Sequence, residues 1–227
     1  MHWWENNGKA TVIVPDDIVD LAFAIDCRHL PVDHAHALSQ ALLQALPWLE
    51  AEDQAGIHLI HGAESGHGWQ RPDDQQQLLH LSRRTRLVLR LPQARVRDAQ
   101  QMIGMKLTIS GCRMGIGAAR MRPLSPLTTL FARYVVASEL ETEAEFLQQA
   151  ADQLARMGIV TGKLLCGKSH HFSLPGETVF TRRLIVADLS VEDSVQLQQR
   201  GLGPGRKLGW GLFLPHKDMA SNEARAR

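Results

Sequence analysis

The feature that most restricts the fold is an order of elements that occurs twice. In the first half, 21–26 (LAFAID) alternates apolar and polar residues, as a half-buried strand does. A helix capped by Asp33 follows and runs to about Leu46, where Pro47 stops it; Leu38, Leu42, Ala45 and Leu49 mark its buried side. Residues 57–60 form a short strand, and a polar loop with Gly62, Gly66, Gly68 and Pro72 leads to a clear strand within 79–91. Residues 94–105 have helical composition, and 106–122 read as a strand with glycines at 111, 115 and 117. The Pro-rich stretch 123–126 (PLSP) then interrupts the chain, and the order repeats. Its second round is a strand at 130–137, a helix at 141–157, strands at 163–174 and 178–189, a short helix at 192–200 and a last strand at 208–214. Each half is β-α-β-β-α-β, so the expected fold is α+β, with two tandem ferredoxin-like domains at 1–125 and 126–227. That fold hosts many unrelated functions and by itself licenses none.

The charge pattern says more. The formal net charge of +1 hides a strong asymmetry. Residues 1–78 hold 3 Lys/Arg against 12 Asp/Glu, whereas 79–126 hold 10 basic residues against Asp98 alone. The dense block includes Arg83, Arg84, Arg86, Arg113, Arg120 and Arg122, and is the footprint expected of a phosphate-binding surface. A solvated arginine-rich face is the plainer alternative. No apolar run approaches the ~20 residues that span a bilayer, and MHWWENNGKA lacks the parts of a secretory signal. Three widely spaced cysteines argue against a disulfide framework. A cytoplasmic protein without membrane association is expected.

Near the C-terminus, 201–211 reads GLGPGRKLGWG. Gly201, Gly203, Gly205, Gly209 and Gly211 allow close backbone approach and positive φ, and Arg206 and Lys207 add charge. A dinucleotide loop fails in detail: G-x-G-x-x-G would need glycine where Arg206 sits, and this segment follows a helix and opens a strand. A flexible turn is the structural alternative.

GLGPGRKLGWGLFLP resembles the glycine-rich motif of the repeat-cleaving CRISPR endoribonucleases of the RAMP superfamily. LAFAIDCRHLPVDHAHALSQAL at 21–42 and TLFARYVV at 129–136 extend the likeness to roughly residues 20–215. The resemblance implies tandem ferredoxin-like domains and RNA cleavage without metal or other cofactor. The 2′-OH would attack the adjacent phosphate and leave a 2′,3′-cyclic phosphate. The implied partners are CRISPR repeat RNA, the crRNA product and, in some members, other effector-complex subunits. The glycine motif does not separate nucleases from non-cleaving RAMP subunits that hold RNA, and that remains the alternative.

Such cleavage needs a proton acceptor, a proton donor and a cation at the phosphate. The family's usual histidine lies near the first strand-to-helix junction, which here contains His29, His34 and His36. The Asp33-His34 pair is matched to the family motif, so His34 ranks first, with His36 or His29 as partner. With Asp33 as cap, His34 and His36 lie about 200° apart around the helix and cannot both face one phosphate. Packing is the alternative role for His34, one turn before Leu38. Arg182 and Arg183 are neighbours on a strand, so one can face RNA while the other faces away; Lys163 and Lys168 are weaker phosphate candidates. His58, His61 and His67 fall beside the polar loop, at the surface or next to RNA. Cys166, His170 and His171 have poor zinc spacing, and Asp16, Asp17 and Asp20 give only slight support to a metal-dependent nuclease. No metal site is expected, and 220–227 is expected to be disordered.

Overall fold

The computed structural model describes residues 15–62, 72 and 77–216. Its first half runs β1 (Ile18–Asp26), β2 (His29–Pro31), α1 (Ala35–Ala45), β3 (Gly56–His58), β4 (Leu78–His80), β5 (Arg86–Pro92), α2 (Val96–Gln100), β6 (Lys106–Ile109) and β7 (Cys112–Pro123). The second runs β8 (Leu130–Ala137), α3 (Glu143–Arg156), β9 (Lys163–Leu174), β10 (Glu177–Ala187), α4 (Val191–Arg200) and β11 (Phe213–Pro215).

The first sheet has the order β3-β5-β1-β7-β6 and the second β11-β8-β10-β9, with every pairing antiparallel. Without the extra edge strand β6, both have their first and third strands central, as the doubled β-α-β-β-α-β order requires. The protein is a tandem ferredoxin-like α+β fold.

Local chemistry places most of the ends. Thr142 and Glu145 close a reciprocal capping box at α3, and Ser190 accepts from the Asp193 N–H at α4. Several boundaries differ from the sequence reading. Asp33 does not cap α1; His34 holds that position without a side-chain bond, and the Asp33 carboxylate accepts instead from Ser173 N–H at 2.8 Å. The stretch 79–91 is two strands, because β4 leaves to pair with β2 in a separate ribbon. The stretch 106–122 is a hairpin, since Ser110 and Gly111 both take positive φ, as a tight two-residue turn demands. The helix expected at 94–105 shrinks to a 3₁₀ turn and α2, because Gly104 turns at φ 89° and donates to Ile116 O. The last strand covers only Phe213–Pro215; upstream of it, Arg206–Leu208 is a 3₁₀ turn. The expected polar loop, with Gly66, His67 and Gly68, and the 220–227 tail lie outside the described residues.

Leu21 and Phe23 of β1 and Leu87, Leu89 and Leu91 of β5 pack with Leu38 and Leu42 of α1. The same cluster takes in Tyr134, Phe172 and Trp210 from the second half, so the halves share a core. Each such ring removes roughly 150–250 Å² from water, worth at most ~4–6 kcal/mol at 25 cal/mol per Å². A second core joins Leu130, Ala132, Leu184 and Phe213 to Phe146, Ala150 and Leu154 of α3. Among the described residues no helix is long and apolar enough to cross a membrane.

Candidate nucleic-acid interface

Successive strand residues face opposite ways. Leu21 and Phe23 point into the core, which turns Asp20 to the other face of the first sheet, with Arg90 and Arg122 as its register partners on either side. A cleft of about 950 Å³ opens there. Arg122 and Val88 line it from the sheet, 82–86 together with His58, Leu59, His61 and Gly62 form its walls, and Arg133 and Leu214 come from the second half. Among the described residues five arginines line it: Arg83, Arg84, Arg86, Arg122 and Arg133. Four of these belong to the dense basic block expected at a phosphate-binding surface; the structure adds Arg133, on a strand outside that block.

The floor is a buried ion pair. Arg90 donates to both oxygens of Asp20, and His58 Nε2 lies 3.6 Å from Asp20 Oδ1. Burial works to raise the Asp20 carboxyl, but Arg90 and then His58 outweigh it and hold the group well below the usual carboxylate range. For His58 burial wins over the attraction of Asp20, so its pKa is lowered and the neutral imidazole is favoured. Asp17 is turned elsewhere, accepting from Gln199 Nε2 at 2.8 Å, so the acidic run 16–20 does not converge on one point.

His34 is 1% exposed, and backbone meets both its ring nitrogens. Nδ1 donates to Pro31 O at 2.8 Å, and Ile60 N–H donates to Nε2 at 3.2 Å. This geometry fits a neutral imidazole with its proton on Nδ1. The bond to Ile60 fixes the segment whose next residue, His61, lines the cleft. The His61 ring lies 6.1 Å from that of Tyr134, which meets His170 edge-on at 5.6 Å and Phe172 at 4.9 Å. His36 is half-buried in the first turn of α1, and His29 is exposed on β2 opposite His80. None of His29, His34 and His36 is among the described residues lining the cleft; His58 and His61 are.

The glycine-rich segment departs from its expected use. Arg206 donates from Nη2 to Gln54 O at 2.9 Å and from Nε to Ala55 O at 3.5 Å, and Lys207 Nζ bonds to Glu50 O. Both cations thus spend donors on first-half carbonyls, and burial pushes Arg206 down to about 10. Trp210 enters the shared core beneath them. Gly205 and Gly211 hold positive φ where a Cβ would collide with Trp210 and with Leu202 O. In this structure the loop docks one half on the other, and within 201–211 only Gly203 and Pro204 at its tip are exposed.

The remaining arginines divide. Arg113 and Arg120 are exposed along β7 away from the cleft lining. Arg182 donates to Glu141 O at 2.6 Å, whereas Arg183 stacks over Phe131, as expected of strand neighbours facing opposite ways. Lys163 pairs with Asp188 at 3.2 Å on the surface. Sequence reasoning missed Arg133 and Tyr134. The alternation in LFARYVV carried a signal, since Phe131 and Arg133 must share a face, but nothing in it named what that face meets.

A sequence family described as Cas6 Crispr matches residues 19–218 of the chain. A protein of Myxococcus xanthus (strain DK1622), the CRISPR-associated endonuclease Cas6, is 32% identical over 215 residues, covering 95% of this chain and 85% of that protein. Among solved structures, one described as CRISPR associated protein Cas6 superposes with a TM-score of 0.61 at 9% identity, over 88% of this chain and all of that one. A Cas6-related gene product from Pyrococcus furiosus also gives 0.61, at 11% identity over 89% of this chain and all of that one. A RAMP protein described as binding different RNA substrates gives 0.56, at 13% identity over 88% of this chain and 98% of that one.

Proposed function

The chain belongs to the Cas6 family of CRISPR-associated proteins, and from that premise we propose that it is a metal-independent endoribonuclease that binds CRISPR repeat RNA and cuts it to mature crRNA. The observation that carries this reading is the cleft lined by five arginines and two imidazoles, with both halves contributing. Neutralising phosphates with arginine releases counterions and supplies affinity that falls steeply with salt. In this reading residues 1–125 and 126–227 act as two domains of a cytoplasmic protein that both contribute to the RNA-binding cleft.

The ribose 2′-OH gives its proton to a base and its oxygen bonds to the adjacent phosphorus. The 5′ oxygen leaves with a proton from an acid, giving a 2′,3′-cyclic phosphate and a 5′-hydroxyl. A proton-transfer group must reach the RNA. His34 is sealed in backbone bonds, so we assign it the positioning of Ile60 and His61, and we assign proton transfer to His61 at the cleft edge. Arginines of the cleft steady the charge on the phosphate.

The test is cleavage of end-labelled repeat RNA in EDTA by wild type and the His61→Ala, His34→Ala, His36→Ala and His29→Ala variants. The expected result is a single cut by wild type, slowed roughly 10²-fold or more in His61→Ala with RNA binding retained. Loss only in His36→Ala or His29→Ala would keep the function and move the chemistry to that residue. Tight, salt-sensitive binding without any cut would make the chain a non-catalytic RNA-holding subunit.

A further inference from the structure

The face of the second sheet turned toward the cleft carries two cations on one ring. Phe131 is in register with Leu214 of β11, which lines the cleft, and with Ile185 of β10. The guanidinium carbon of Arg133 lies 5.2 Å from the Phe131 centroid, and that of Arg183 lies 5.1 Å from it. His216 meets the same ring edge-on at 5.6 Å. Leu130 and Ala132 point the other way, into the second core.

The register explains how both arginines reach one ring. Arg182 pairs with Val135 and Ser169, but Leu184 pairs with Ala132 and Cys166, so β8 and β9 each carry an extra residue beside Arg183. Bulges of this kind re-aim side chains. Gly167, within the β9 bulge, leaves room for the stem of Arg183: a Cβ there would fall 3.1 Å from Arg183 Cβ and 3.2 Å from its Cδ. Arg183 Nε is buried and has no hydrogen-bond partner among the described residues. The arrangement costs energy, since burial and the neighbouring Arg133 both push the Arg183 pKa down. An anion bound beside Arg183 would offset both penalties.

We propose that Arg133, Phe131 and Arg183 form a phosphate subsite on the second sheet, taking one phosphodiester group of the repeat RNA whose other phosphates lie along Arg83, Arg84 and Arg86. Arg133 already lines the cleft, so the subsite opens on the path of the strand. Guanidinium forks suit phosphate oxygens, and stacking on a ring limits the freedom they lose on binding. The inference rests on the RNA-processing reading and adds to it an anchoring point in the second half.

The experiment is fluorescence anisotropy with labelled repeat RNA between 50 and 300 mM KCl, for wild type, Arg183→Gln and Arg133→Gln, with circular dichroism as the check on folding. Arg183→Gln is expected to weaken binding about tenfold and to reduce the slope of log K against log salt by roughly 0.7–0.9, the loss of one phosphate contact. RNAs carrying one neutral methylphosphonate at successive positions then locate the contact. At one position the substitution weakens wild type and leaves Arg183→Gln unchanged. If Arg183→Gln does not fold, Arg133→Gln read in the same way decides. A folded variant with wild-type affinity and slope overturns the subsite and leaves the RNA-binding reading standing. A wild type that fails to bind repeat RNA overturns that reading itself.

Discussion

Arg90 donates to both carboxylate oxygens of Asp20, at 2.8 and 2.9 Å, while its Nη1 donates to the carbonyls of Gln198 and Phe213. One side chain, 1% exposed, therefore closes the floor of the basic cleft and ties the first sheet to α4 and β11 of the second half. Its donors meet charged or backbone acceptors, which is the condition under which a buried guanidinium is tolerated.

Removing one partner of that pair leaves the other uncompensated. Arg90→Met is expected to lower stability by about 3–5 kcal/mol, read as the shift in urea unfolding. Adding Asp20→Asn to Arg90→Met is expected to restore part of the loss, because the orphaned charge goes with it. A double variant no more stable than the single one would show that the carbonyl bonds, not the ion pair, dominate.

Acid sensitivity follows from Asp20 and His58, and both act in the same direction. Asp20 titrates below its usual value in the folded chain, so its contribution is present above about pH 4 and is lost in stronger acid. His58 is also held low, by burial: the unfolded chain takes up a proton near pH 6.5 that the folded chain refuses until lower pH. Stability should therefore fall between about pH 7 and 5, with a slope from His58 of at most ~1.4 kcal/mol per pH unit. Urea unfolding at pH 7, 6 and 5 should show this slope flattened in His58→Gln, and the Asp20 limb in stronger acid reduced, since His58 helps to hold that carboxyl low. An identical slope in the variant would assign the effect to another group.

Two glycines of the same loop should respond differently to the same substitution. Gly203 and Gly211 both have positive φ, at 72° and 66°, but a Cβ on Gly203 meets open space, whereas one on Gly211 runs into Leu202 backbone. Gly203→Ala is expected to cost about 1–2 kcal/mol, the left-handed backbone penalty alone. Gly211→Ala should cost more than that and loosen the docked loop, since Gly211 N–H also donates to Tyr134 O at 2.7 Å. Thermal unfolding of the two variants side by side distinguishes strain from collision; equal losses would rule the collision out.

The histidines at the start of α1 should separate structure from chemistry. His34→Ala removes two buried backbone bonds and leaves a cavity, so a loss of roughly 2–4 kcal/mol is expected. His36→Ala, in a half-exposed position, should change stability by less than about 1 kcal/mol. Denaturant midpoints of both variants check this, and a neutral His34→Ala would remove its positioning role.

Much of the site's neighbourhood was legible because strands and helices impose periods of 2 and 3.6 on apolar residues. The alternation in 21–26 placed β1, and the density of arginine at 83–122 foretold a basic surface, though not which of its members share a cavity. The hairpin at Ser110-Gly111 reads as one strand in the sequence because glycines inside a strand pattern can signal either a bulge or a turn. His34 was singled out by its motif, but its burial depends on Ile60, which reaches it from beyond the helix.

The sequence by itself determined the doubled β-α-β-β-α-β order and the concentration of positive charge, since each depends on residues close together in the chain. Tertiary structure alone decided the rest. Arg206 and Lys207 stand beside glycines like phosphate ligands, yet folding brings the carbonyls of Gln54 and Glu50 within their reach from more than 150 residues away. Arg133 and Arg183, 50 positions apart, meet on Phe131 only because two bulges align across three strands. Which acceptor a cation finds is set by distances in the folded chain, and spacing along the sequence does not encode them.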